Sequence, residues 1–310
     1  MNPAVEKPKI IVISGPTGIG KTHVAIHLAI KFHGEIISAD SMQVYRYMNI
    51  GTAKPTAEER KQVPHHMIDI VDPDESFDAI RFSEQARRKV VELHSRGKVP
   101  FVVGGTGLYI KALIHGVFKS PPVRPSIRLR LRREADAQGP DFLHRRLKEY
   151  DPDTAARLHP NDTYRIIRAL ETLEATGKPI SEHQRGHDFF ENPFNVLKIG
   201  LTTDRQTLYD RIDCRVDAMI NAGLEDEVSN LLGRGYHPDL KSMQSIGYRH
   251  LVAYLQGRLS WSECVRTLKR DTRRYAKRQL TWFGADPEII WKAPDQISAI
   301  IALVKDFLKQ

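Results

Sequence analysis

Cysteine is scarce in this 310-residue chain: there are two, Cys214 and Cys264, far apart and without a CxxC or Cys/His ligand spacing around either. That excludes a disulfide framework and a zinc knuckle and fits a reducing compartment. Long apolar runs are missing too. No window approaches the roughly 20 continuous apolar residues that cross a bilayer, and the first residues, MNPAVEKPK, hold no apolar signal core. A cytoplasmic protein with no membrane partner is expected. Internal repeats and low-complexity tracts are also lacking. Lys and Arg number 47 against 38 Asp and Glu, a net charge of +9, which excludes an acidic, solvating disordered chain. Hydrophobic residues make up 41%, enough for a buried core in one large domain or two ordinary ones.

The apolar, β-branched run Lys9 to Ser14 reads as a strand buried on both faces, and it ends at a glycine loop. Val24, Ala25, Leu28, Ala29 and Phe32 then recur at helical spacing until Gly34. A second strand over Glu35 to Ala39 delivers Asp40 to its carboxyl end, and a third, Val99 to Val103, runs into Gly104-Gly105-Thr106-Gly107. From about residue 118 the pattern changes. Pro121, Pro122 and Pro125 precede a basic helical stretch with Arg128, Arg130, Arg132 and Arg133, and Asp162 to Leu173 is amphipathic. Strand character returns at Val196 to Leu201, and helices over 204–221, 223–233 and 295–308 surround a last short strand at Glu288 to Trp291. The expectation is an α/β fold: a P-loop NTPase-like parallel sheet flanked by helices (1–117 and 196–310) interrupted by an all-helical insertion domain (118–195).

Gly15, Pro16, Thr17, Gly18, Ile19, Gly20, Lys21 and Thr22 match G-x-x-x-x-G-K-[ST] between a strand and a helix, the context the motif requires. Backbone amides, the helix N-terminus and Lys21 suit phosphate oxygens, and the Thr22 hydroxyl suits Mg²⁺. A motor or switch NTPase also needs an apolar strand ending in a magnesium-holding aspartate. None is evident, which argues against an ATPase machine. Asp40 suits a general base near the donor phosphates, or equally a turn or helix cap.

Two functions compete on these residues. A small-molecule or nucleotide kinase would use ATP on the loop, Asp40 toward an acceptor hydroxyl and the Arg124 to Arg133 cluster as a lid. An RNA-directed enzyme explains the net charge and the run RTLKRDTRRYAKR at 266–278 better, with Tyr275 either stacking on a base or packed in the core. Trp282 and Phe283 are expected in the core. Adjacent His65 and His66 have no further ligand at metal spacing, so no metal is assigned to them.

Seven strings decide the matter: GPTGIGKT (15–22), ISADSMQVYRYMNIGTAKP (37–55), VPHHMIDI (63–70), VVGGTGLYIKAL (102–113), HPNDTYRIIRALE (159–171), IGYRH (246–250) and RRYAKRQLTWF (273–283). Almost end to end, the chain resembles bacterial tRNA dimethylallyltransferases, also called tRNA isopentenyltransferases. The resemblance implies transfer of a dimethylallyl group from dimethylallyl diphosphate to N6 of adenosine 37 in tRNA. Diphosphate is released and no γ-phosphate is cleaved. It further implies Asp40 as the base, with Lys21, Thr17, Arg215 and Mg²⁺ at Thr22 stabilising the leaving group; the alternative for Arg215 is an i,i+4 surface pair with Arg211 and the neighbouring acids. The family's tRNA contacts fall on Asp40, Ser41, Met42, Gln43, Thr106, Arg128, Tyr164, Arg165, Ile166, Ile167 and Arg168, and on Gln244, Gly247, Tyr248 and Arg249. The spacing of Ile166 and Ile167 with Leu170 and Leu173 says helix core, which leaves Arg165 and Arg168 to reach RNA. The target base is expected to flip out into a channel between sheet and insertion, and the enzyme to act as a monomer.

Overall fold

The computed structural model describes residues 7–116, 125–186 and 192–310. Arg124, the first arginine of the expected lid, lies outside them, as do Pro121 and Pro122. The chain divides into two compact units, one of residues 1–115 with 192–310 and the other of 116–191.

The first unit carries the sheet. Its strands are β1 (Lys9–Ser14), β2 (Gly34–Ser38), β3 (His65–His66), β4 (Val99–Gly104), β5 (Asn195–Leu201) and β6 (Ile290–Lys292), in the order β3-β2-β4-β1-β5-β6. Every pairing is parallel, with Ile11 opposite Phe101 on one side and Leu197 on the other. A central parallel strand is covered on both faces, which is why β1 is a continuous apolar run with Ile10, Ile11, Val12 and Ile13 all buried.

Around the sheet run α1 (Lys21–Lys31), α2 (Ala57–Gln62), α3 (Ala79–Ser95) and α4 (Gly107–His115). The helical unit holds α5 (Pro125–Gln138), α6 (Pro140–Tyr150), α7 (Pro152–Arg157), α8 (Thr163–Thr176) and α9 (Ile180–Gly186). The chain then returns through α10 (Arg205–Asn221), α11 (Leu224–Gly233), α12 (Tyr248–Leu255), α13 (Trp261–Gly284) and α14 (Ile297–Lys309). Several termini follow side-chain capping: Asp78 accepts the amides of Ile80 and Arg81, and Ser260 with Glu263 forms a reciprocal box at the start of α13.

One core joins Ile11 and Ile13 of β1, Val24, Leu28 and Ala29 of α1, Ile199 of β5, Ile212 of α10 and Ile300 of α14. Full burial of each such side chain contributes roughly 1.5–3 kcal/mol. A separate core in the helical unit packs Leu131, Leu143, Leu147, Ile166, Ile167 and Leu170. Ile166 therefore presents no surface to RNA, a correction to the contact set the resemblance implied, whereas Ile167, 5% exposed, borders a groove together with Arg128 and Tyr164. Their periodicity with Leu170 turns both toward the other helices of the unit.

Candidate active site

Ligands of open parallel sheets gather at the carboxyl ends of the strands, and three loops meet there. The β2 and β4 loops touch through backbone: the Thr106 amide donates to the Ala39 carbonyl at 3.2 Å. A Cβ at Gly104 would stand 2.1 Å from that carbonyl oxygen, so only glycine fits. The phosphate loop turns at Gly18, with φ of 81°. Lys21 folds back over it and donates to the carbonyls of Gly15 and Pro16 at 2.9 and 2.8 Å. Burial, reinforced by the nearby Arg215 charge and opposed by Asp40, lowers the Lys21 ammonium to about 7.

The loop opens on a cavity of about 290 Å³ lined by Thr17, Lys21, Thr22, Asp40, Arg215 and Tyr275, among others. Arg215 stands on α10, anchored by buried Leu208, Ile212 and Val216. Burial lowers its pKa, and Asp40 opposes the shift. Among the described residues Arg215 has no carboxylate at ion-pair distance, so of its two readings the geometry favours the cavity over a surface pair. Lys21 and Arg215 thus bring positive charge to a sheltered space whose lining acids are Asp40 and Glu59, the latter bonded to the Thr56 amide at 2.8 Å.

Asp40 does part of the turn-capping job that its position allowed. Its Oδ1 accepts the amides of Met42 at 2.8 Å and Gln43 at 3.3 Å. Those bonds leave Oδ2, which accepts no hydrogen bond among the described residues, and they hold the carboxylate in one orientation. The Gln43 side chain is spent internally: it accepts from Ser38 at 2.8 Å and donates to the carbonyls of Thr52 and Ala53. Thr106 Oγ1 accepts the Ser41 amide at 3.0 Å, which joins the β4 loop to the Asp40 turn.

Two lining residues, Tyr275 and Gln279 of α13, were not assigned to the site from sequence, although they stand one helical turn apart in the string RRYAKRQLTWF. Gln279 is 6% exposed. His65 also lines the cavity; its Nδ1 donates to the Val63 carbonyl at 2.8 Å, and burial lowers its pKa. His66 pairs with Glu35 at 2.7 Å. Among the described residues no group of three or more His, Cys, Asp or Glu is arranged to hold a metal. The Thr22 hydroxyl beside the phosphate loop is nevertheless the donor type that Mg²⁺ takes when substrate phosphates and water complete its shell, so the site fits that ion.

Elsewhere the expected RNA contacts divide. Tyr164 is 69% exposed. With Arg128 and Arg132 it lines a groove of about 440 Å³ in the helical unit. Arg128 is tied to fully buried Glu171 by bonds of 2.5 and 2.8 Å. Arg165 lies 3.5 Å from Asp162, and Arg168 3.5 Å from Glu171. Gln244 is exposed, whereas Gly247 is buried. Tyr248 is fully buried and donates to Glu227 at 2.6 Å, so it is a packing residue and not an RNA contact. Arg249 pairs with Asp271 at 2.7 Å.

The basic run on α13 is also more neutralised than its composition suggests. Arg273 meets both oxygens of Asp213 at 2.6 Å, Lys269 meets Asp217 at 2.6 Å, and Arg270 meets Asp271 at 2.9 Å. Phe283 is in the core as expected. Trp282, expected there too, is 43% exposed, with one edge of its ring packed against Gly107.

A family model described as IPP transferase matches residues 43–286. The chain is similar to a tRNA dimethylallyltransferase of Desulfosudis oleivorans, 55% identical over 304 residues that cover 98% of this chain and 97% of the relative. Among solved structures it is similar to the full-length tRNA isopentenylpyrophosphate transferase of Bacillus halodurans: 44% identity, TM-score 0.74, covering 98% of this chain and 97% of the other. A eukaryotic dimethylallyltransferase described as acting on tRNA gives a TM-score of 0.80 at 31% identity, covering 97% of this chain and 79% of the other.

Proposed function

Since the chain belongs to the IPP transferase family and transfers a dimethylallyl group to tRNA, we propose that its donor is dimethylallyl diphosphate and its acceptor is N6 of adenosine 37 beside the anticodon. The kinase alternative falls with that membership. The observation that carries the finer reading is one cavity shared by a phosphate loop, a cation left without a carboxylate partner and a carboxylate with one oxygen unengaged.

The adenine amine is a weak nucleophile. As its nitrogen bonds to the allylic carbon, the bond from that carbon to the diphosphate oxygen breaks and the N6 proton passes to Asp40 Oδ2. Negative charge grows on the departing diphosphate, where Lys21, Arg215, the Thr17 hydroxyl and the loop amides are preorganised to receive it. A Mg²⁺ ion held at Thr22 would supply further charge stabilisation to the phosphates. An adenine stacked in the anticodon loop cannot offer N6 to a recessed carboxylate, so the base leaves the stack before reaction. The enzyme acts as a monomer in the cytoplasm, where its tRNA is found.

The test supplies labelled dimethylallyl diphosphate, Mg²⁺ and unmodified tRNA bearing adenosine 37. Label enters acid-insoluble RNA, and a guanosine at position 37 abolishes incorporation. Label in tRNA that persists with guanosine 37 would remove the assigned acceptor.

A further inference from the structure

Among the described residues, Gln279 is the one buried side chain in the site whose two polar ends go to different loops. Its Oε1 accepts the Thr17 amide at 2.9 Å, and its Nε2 donates to the Gly105 carbonyl at 2.9 Å. The amide orientation is unambiguous, since an N–H needs the oxygen and a carbonyl needs the NH₂ group. Gly105 adjoins Thr106 in the β4 loop, and Tyr275, one turn before Gln279, lines the same cavity. From Thr106 the path continues to the Ser41 amide and so to the Asp40 turn. The Thr17 amide therefore points to Gln279, and that residue is left its hydroxyl for the diphosphate. Gly105 is part of the fit: a Cβ there would stand 2.1 Å from Gln279 Nε2.

We propose that Gln279 is a positioning residue that fixes the phosphate loop, at Thr17, against the β4 loop and through it the Asp40 turn, and so sets the separation of leaving group and base. The proposal rests on the function proposed above. Reaction rate is steep in this separation, since a misplacement of about 1 Å costs up to about 10²-fold. A side chain that merely filled space would be replaced without loss by one of equal volume.

Gln279→Met keeps the volume and removes both bonds. Dimethylallyl transfer should show kcat lowered roughly 10- to 100-fold, with KM for tRNA within about threefold. In an Asp40→Ala background the same substitution should change kcat by less than about threefold, because the base whose separation from the leaving group it sets is gone. Thr17 amide hydrogen exchange should accelerate at least about tenfold in Gln279→Met. Gly105→Ala, which displaces the Gln279 side-chain end without backbone strain, should reproduce these effects if Gln279→Met fails to fold. An unchanged kcat, or a full effect that persists in the Asp40→Ala background, would overturn the proposal. A wild-type protein that modifies no tRNA would defeat the functional reading instead, and the Thr17 amide exchange would then decide the clamp alone.

Discussion

Arg215, at the cavity of the sheet unit, behaves differently from three arginines of the helical unit. In the sheet unit Arg215 faces a cavity with no carboxylate at ion-pair distance among the described residues, and Lys21 is held only by backbone carbonyls. In the helical unit Arg128 grips buried Glu171, Arg130 meets Glu174, and Arg146 bridges Glu134 and Glu174. The first arrangement is incomplete until an anion arrives; the second is complete in the folded chain. A run of basic residues is thus no guide to nucleic-acid contact until the acids opposite it are known.

The comparison is tested most severely at Asp40. Asp40→Ala should leave tRNA binding nearly intact and lower prenyl transfer about 10²- to 10⁴-fold, the range for losing a general base. Single-turnover transfer at saturating tRNA measures this, and an unchanged rate removes Asp40 from the mechanism.

Lys21 supplies a pH test. In the free site its pKa is near 7, and a bound diphosphate raises it by favouring the charged form. Below that value binding takes up no proton. Above it the ammonium must be re-formed on binding, so affinity for dimethylallyl diphosphate should fall by up to about tenfold between pH 7.5 and 8.5. Lys21→Arg should flatten the profile, as measured by calorimetry across that range.

In the helical unit the expected loss is one of stability. Arg128→Ala leaves the Glu171 carboxylate buried with a single, longer partner and should cost about 1–3 kcal/mol. Adding Glu171→Leu should restore most of it. If the double variant melts like wild type yet binds tRNA more weakly, Arg128 also serves RNA; binding at wild-type strength would confine it to structure. The smallest effect is expected on α13. Replacing Arg273, already neutralised by Asp213, with alanine should leave the salt dependence of tRNA binding nearly unchanged, whereas Lys277→Ala, at an exposed residue, should reduce its slope by just under one unit. Equal slopes would erase the distinction between paired and free cations on this helix.

Much of this was legible in advance. Strands β1, β4 and β5 announced themselves as short β-branched runs, and the phosphate motif sat between its strand and helix. The two-residue strand β3 and the short helices α2 and α12 left no periodic signal long enough to read. Tyr248 and Trp282 show the limit most plainly: both are aromatic and lie in strongly patterned segments, yet one is buried against Glu227 and the other rests exposed on Gly107.

The linear chain by itself determined the parallel sheet, the phosphate loop and the placing of Asp40 at a strand's carboxyl end, because each depends on neighbours within a few residues. Only the tertiary structure decided which cations stay available, and that Gln279 reaches back across 262 residues to Thr17. The reason is physical: an ion pair or a buried amide is defined by its partner, and its partner is chosen by packing.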